Sequence, residues 1–162
     1  GSKENRARLL LEILTAVCAA IGNDRVGVRL SPVTPFNDIS DDNPQETFDY
    51  VVDALNPFDL AFLDILQGTG GMPPDKWLPF DYARLRTHYH GKLLLNNGYD
   101  LASGQAAVQG GAADAIAYGR PLLANPDLVE RFRRGAPLNQ PDYTKLYVGE
   151  EKGYTDYPFL SE

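Results

Sequence analysis

Four short runs of apolar residues, at 25–30, 60–66, 92–95 and 115–118, alternate along the chain with segments whose apolar residues recur at helical spacing. This alternation restricts the fold more than any other feature. Continuous apolar strands separated by helices pair in parallel and are buried on both faces, which specifies an α/β protein. Periodicity predicts helices over 4–21, 44–55, 81–89 and 101–109, with Leu10, Ile13, Leu14, Val17 and Ile21 as the apolar stripe of the first. A fifth helix is predicted after the last strand, with Asn125 as N-cap, Pro126 at the first helical position, Asp127 at the positive helix end and Gly135 as the stop.

Only four strands are visible in 162 residues. A closed eight-stranded (β/α) barrel takes about 250 residues, so this chain suffices for roughly half of one. Half a barrel leaves two open edges. A doubly wound open sheet competes, but it would carry a G-x-G-x-x-G turn between its first strand and helix, and Gly68-Thr-Gly-Gly71 runs instead into Met-Pro-Pro. The expected organisation is one half-barrel domain over 1–162: a helix over 1–22 leading in, four strands with their helices over 23–136, and a Tyr-rich tail over 137–162 packing on the barrel.

The net charge of −7 argues against a broad nucleic-acid or anionic-membrane surface, and the expected anionic partner is small and buried. The composition, 43% hydrophobic and 23% charged, is that of a globular protein. The single cysteine, Cys18, sits at an apolar helical position; it allows no intrachain disulfide and suggests a reducing, cytoplasmic setting. No apolar run reaches the length of a membrane span, and the start lacks the layout of a signal peptide.

The strand ends carry the chemistry. The fourth strand stops at Gly119-Arg120, where a backbone amide without an obstructing side chain adjoins a planar fork of charged donors, which is either a combination suited to phosphate or a surface arginine at a helix start. The third opens into Asn97-Gly98, which is either a second phosphate turn or an ordinary one. Arg29 ends the first strand and is either a ligand-facing cation or the partner of an internal ion pair with Asp64. His88 and His90 suggest a metal pair or a solvated loop, with no carboxylate or cysteine cluster nearby to favour metal. Trp77 either lines the mouth of the site or caps the barrel.

In order along the chain, Glu4-Asn-Arg-Ala-Arg-Leu9, Val26-Gly-Val-Arg-Leu-Ser-Pro32, Asn97-Gly-Tyr99, Ala117-Tyr-Gly-Arg-Pro121 and Gly153-Tyr-Thr-Asp-Tyr-Pro158 together resemble the old yellow enzyme family. The chain looks most like the C-terminal half of its bacterial N-ethylmaleimide and nitrate-ester reductase branch. The resemblance implies an FMN-dependent (β/α)₈ ene-reductase that uses NAD(P)H to reduce alkenes activated by a carbonyl or nitro group, such as enones, enals, maleimides and nitroalkenes. By motif, Arg29 corresponds to the arginine beside the flavin N1/O2 edge. Asn97, Gly98, Gly119 and Arg120 correspond to the phosphate grip, and Tyr147 to an aromatic bordering the substrate. The paired His/Asn that bind the activating group and the proton-donating tyrosine belong to the first four strands of that family and have no counterpart here. The resemblance therefore implies a half-barrel, separated by proteolysis, splitting or circular permutation, whose partner is the N-terminal half and which is inactive alone. A non-catalytic half-barrel that binds a phosphate-bearing ligand and an inert folding fragment stand as alternatives.

Overall fold

Helix α1, Lys3–Ile21, opens a computed structural model that describes residues 1–34, 39–68, 78–148 and 150–161. Trp77 and the 69–71 part of the glycine-rich turn lie outside the described residues. Ser2 caps α1 by accepting a bond from the Asn5 amide at 3.3 Å. Strand β1, Gly27–Leu30, is followed by α2, Pro44–Leu55, with Asn43 as N-cap and Pro44 in its first turn. Next come β2, Phe62–Leu66, and α3, Tyr82–His88, capped by Asp81. Then β3, Leu93–Asn96, leads to α4, Leu101–Gln109, which begins in a reciprocal capping box between Asp100 and Ser103, and β4, Ala115–Ala117, follows.

The four strands form one parallel sheet in the order β1-β2-β3-β4, half the strand number of a (β/α)₈ barrel. The described residues divide into two compact units, Gly1–Ala117, which holds the whole sheet, and Tyr118–Glu162.

Side chains alternate between the faces of a strand, and here the two faces differ. Val28, Leu63, Ile65, Leu93 and Leu95 share one face and are buried in a core with Ala7, Leu14 and Cys18 of α1, Val51, Val52 and Leu55 of α2, and Leu85 of α3. The opposite face carries Gly27, Arg29, Phe62, Asp64, Leu94, Asn96 and Ala115, and much of it is open. Burial on both faces, as the apolar runs suggest, is thus only half met. In a closed barrel this second face is the interior, filled in layers from all the strands, and four strands supply only part of that filling. Phe62 lies across Gly27 so closely that a Cβ there would stand 2.4 Å from the Phe62 Cζ.

The predicted apolar stripe of α1 is also divided. Leu14 reaches the core and Leu10 packs against it, but Ile13, Val17 and Ile21 are exposed and line up with exposed Leu9 at four-residue intervals. The core-facing line runs instead through Ala7, Leu14 and Cys18. A helix in a ring of helices touches the sheet with one stripe and its neighbours with another; α1 packs on α2 on one side, and its second apolar stripe is uncovered.

The second unit departs from the expected single helix: Asn125 is not an N-cap but closes the C-terminal end of a short helix before it. That helix is α5, Arg120–Ala124, and α6, Leu128–Arg134, starts after Asp127 and ends at Gly135. Asn125 is fully buried, donating to the carbonyls of Pro121 and Asn139 at 2.9 and 3.1 Å and accepting from the Asn139 amide at 2.7 Å. The side chain that suits an N-cap also suits a buried link between two loops, and the tail sequence supplies that second use. Arg131 completes the clasp with Nε on Asp127 at 2.7 Å and its two terminal nitrogens on the carbonyls of Pro137 and Pro158. Asp127 in turn accepts the Leu160 amide at 2.6 Å.

Asp114 pins the start of β3. Its Oδ2 accepts from the Leu93 amide at 2.8 Å and from Arg86 at 3.1 Å, with Lys92 at 3.7 Å from Oδ1. The Leu93 amide, followed by Arg86 and Lys92, holds this carboxyl below the usual carboxylate range. A depressed folded value means that the stabilisation is complete above the unfolded pKa of about 3.9 and disappears as pH falls through the lower folded value. Asp114→Asn should therefore lower stability at pH 6 and flatten its decline from pH 5 to pH 2, as read by urea unfolding across that range. An unchanged pH profile would remove Asp114 from the acid transition.

Candidate functional site

In a parallel sheet the C-terminal strand ends fall along one rim, and loops leaving them converge there. The polar residues of the first unit gather at this rim. Arg29 pairs in register with Asp64 of β2, and its Nε lies 2.7 Å from Asp64 Oδ2. Asn96, the last residue of β3, donates from Nδ2 to the other carboxylate oxygen at 2.5 Å. Asp64 and Asn96 are buried, each 6% exposed, whereas the Arg29 side chain is 59% exposed. The ion pair left open by sequence is present, but it engages Arg29 from one side only.

Beyond Asn96 the chain turns through Asn97 and Gly98, both at φ 81. Asn97 donates from Nδ2 to the Gln67 carbonyl at 2.6 Å, and the Gln67 amide donates to the Asn96 carbonyl at 3.1 Å. Tyr99 donates its hydroxyl to Gln67 Oε1 at 2.7 Å. The loops after β2 and β3 are thereby locked to each other. Tyr82 adds a bond from the Gly68 amide to its hydroxyl at 2.6 Å, and burial lifts the Tyr82 phenol above its usual range, so it stays neutral. Thr34, four residues past β1, has a buried Oγ1 with no protein partner among the described residues.

β3 and β4 are neighbours, with Asn96 in register with Ala117. Gly119 and Arg120 themselves belong to the second unit. A Cβ at Gly119 would meet nothing within 4 Å. Arg120 is the first residue of α5, exposed, with Cζ 6.0 Å from the centre of the Tyr143 ring. Tyr147 is 94% exposed at φ 64, its amide donating to the Tyr154 hydroxyl at 2.7 Å.

His88 lies with Nδ1 2.8 Å from Asp53, and the His90 amide donates to Asn56 at 2.9 Å. Among the described residues no group of three or more His, Cys, Asp or Glu could hold a metal. A recess of about 420 Å³ lies among α1, α2 and α3, lined by Lys3, Glu46, Asp49, Arg84 and His88, and no strand residue enters it. Its charges are paired among themselves, Lys3 with Glu46 at 3.1 Å and Arg84 with Asp49 at 2.7 Å. No helix among the described residues is long and apolar enough to cross a membrane.

Sequence reasoning singled out Arg29 and the two glycine turns but gave no role to Asn96, Gln67, Tyr82 or Tyr99. A signal for the centre was present, since Asp64 interrupts the apolar run 60–66 and a buried carboxylate calls for more than one donor. The identity of those donors depends on which strands lie side by side.

Residues 1–139 match the profile of the NADH:flavin oxidoreductase / NADH oxidase family. A Leishmania infantum protein described as a probable flavin mononucleotide-dependent alkene reductase is 45% identical over 163 residues, 99% of this chain and 43% of that protein. The 12-oxophytodienoate reductase 1 of Oryza sativa subsp. japonica is 41% identical over 172 residues, covering 100% of this chain and 43% of its own. Among solved structures, morphinone reductase aligns with a TM-score of 0.90 at 40% identity, over 99% of this chain and 43% of its own. The old yellow enzyme from Trypanosoma cruzi aligns with a TM-score of 0.92 at 32% identity, over 99% of this chain and 42% of its own. The chain spans less than half the length of these relatives.

Whatever the rim holds, the turn after β3 requires left-handed backbone at two successive residues. Asparagine tolerates this and glycine is indifferent to it, but a β-branched side chain is not accommodated. Gly98→Val should lower stability by about 1–2 kcal/mol, measured by chemical denaturation, while Gly98→Asn, a residue that tolerates the left-handed region, should lose less.

Proposed function

Because the chain belongs to the NADH:flavin oxidoreductase / NADH oxidase family, that of the old yellow enzymes, we propose that it is the FMN-gripping half of an ene-reductase barrel, working with a companion half that completes the barrel. The observation that carries this reading is the guanidinium of Arg29. It stands on the inner sheet face near a strand end, held at Nε and otherwise largely open. A fixed cation without a full complement of protein partners suits an anionic ligand.

The donor set fits flavin mononucleotide. Arg120, the backbone at Gly119 and the Asn97-Gly98 turn suit a phosphate dianion, and Arg29 suits the N1/O2 edge where negative charge collects. When bound, FMN would supply the chemistry of hydride transfer between NAD(P)H and an alkene activated by a carbonyl or nitro group. Arg120 and the two turns would hold and orient the phosphate; Arg29 would keep positive charge at the N1/O2 edge; Tyr147 would border the substrate. The binding pair for the activating group and the proton-donating tyrosine are assigned to the companion. Two features support a companion: among the described residues β1 and β4 each pair on one side only, and α1 leaves the stripe Leu9, Ile13, Val17 and Ile21 exposed.

Intact mass and the visible spectrum of the purified protein, before and after denaturation, test the reading directly. A second polypeptide together with released FMN is expected; a single 17.8 kDa species without a flavin band would overturn it. Within the assembled protein, Arg120→Ala should weaken FMN binding about tenfold or more, since a charge-assisted bond to phosphate contributes about 1.5–3 kcal/mol. Unchanged affinity in a flavin titration would remove Arg120 from the phosphate grip.

A further inference from the structure

We propose that Asp64 is a positioning residue for Arg29, setting the direction of its guanidinium and the share of its positive charge that reaches the ligand. This rests on the reading of Arg29 as the cation beside the flavin N1/O2 edge. Three observations lead to it.

Asp64 is a carboxylate in the middle of the strand segment Phe-Leu-Asp-Ile-Leu, 6% exposed, on the sheet face that looks inward. Burying a lone charge there is costly, and both oxygens are matched, Oδ2 by Arg29 Nε and Oδ1 by Asn96 Nδ2. The pair is also lopsided. The Asp64 side chain is 8% exposed and that of Arg29 59%. Holding a planar fork by Nε fixes its plane and leaves the edge away from Asp64 for another acceptor. Finally, Asn96 directly precedes the Asn97-Gly98 turn, so one carboxylate connects Arg29 on β1 with the strand whose end would hold the phosphate. Asn96 contributes a neutral donor, which stabilises the carboxylate without cancelling its charge.

The consequence has opposite signs for the two partners. Removing Arg29 removes the cation, so flavin reduction becomes harder. Removing the negative charge of Asp64 while keeping its shape releases the cation from partial neutralisation, so reduction becomes easier. In the flavin-loaded assembled protein, redox titration should show a lower midpoint potential for Arg29→Ala. Asp64→Asn should shift the ratio of reduced to oxidised FMN affinity the other way by on the order of tenfold, which is about 30 mV for a two-electron couple. The double variant identifies the route: if Asp64 acts through Arg29, Asp64→Asn moves the potential little in the Arg29→Ala background.

If Arg29→Ala leaves the potential unchanged, the assignment of Arg29 falls, and with it the proposal. If Arg29→Ala lowers the potential but Asp64→Asn does not raise it, or raises it equally without Arg29, only the role of Asp64 falls. Should Asp64→Asn not fold, Asn96→Ala reports on the same link. Deprived of one donor, Asp64 draws more strongly on Arg29 and the potential should drop; an unaltered potential in that variant would overturn the proposal.

Discussion

A carboxylate on the inner face of a parallel sheet has to find its donors on neighbouring strands, and the bonds made by Asp64 organise the rim of this protein. They join β1 to β3 across β2 through Arg29 and Asn96. Because parallel strands bring equivalent ends to the same rim, the polar residues that leave β2 and β3 then meet each other. Gln67 accepts from both Asn97 and Tyr99. The result is a set of groups held by short polar links above an apolar layer, with one guanidinium left largely exposed.

The apolar side of the sheet is conventional by comparison. Val28, Leu63, Ile65, Leu93 and Leu95 pack against the inner stripes of the first three helices, and their burial provides the main driving force for folding of the first unit. What distinguishes the chain is how much is left uncovered. Phe62, the outer stripe of α1, and both edge strands present surfaces that a closed barrel would bury. The length of the chain, less than half that of the Leishmania infantum protein and of morphinone reductase, and the position of these surfaces agree with each other. The second unit relies on a different device. Asn125 and Arg131 are polar residues with almost no exposure, and they hold the tail by bonding its carbonyls, which lets a segment with little regular structure keep a defined path.

Where prediction from sequence and the observed elements part, the cause is a contact between distant residues. The alternation of helix and strand was legible because periodicity is local: helices α2 and α4 span the residues their apolar spacing indicates. The strands shift by one or two residues because their ends are set by pairing with neighbours. Asn125-Pro126-Asp127 has the local chemistry of a helix start, yet Asn125 is drawn into the interior by Asn139. The apolar spacing of α1 marks it as amphipathic but not which of its two stripes meets the sheet, because that depends on where neighbouring helices lie.

The site shows the same division. Residue type and position after a strand were enough to single out Arg29, Asn97-Gly98 and Gly119-Arg120 as candidates, each with an ordinary structural use beside the functional one. By itself the sequence determined the fold class, the number of strands and the motifs that mark the family. The tertiary structure alone decided that Arg29 is both an ion-pair partner and an open cation, because that depends on the register that sets it beside Asp64. It likewise decided that Asn96 shares that carboxylate: hydrogen bonds are directional and short, and only the lateral order of the strands brings residues 32 and 35 positions apart in the chain within reach of one side chain.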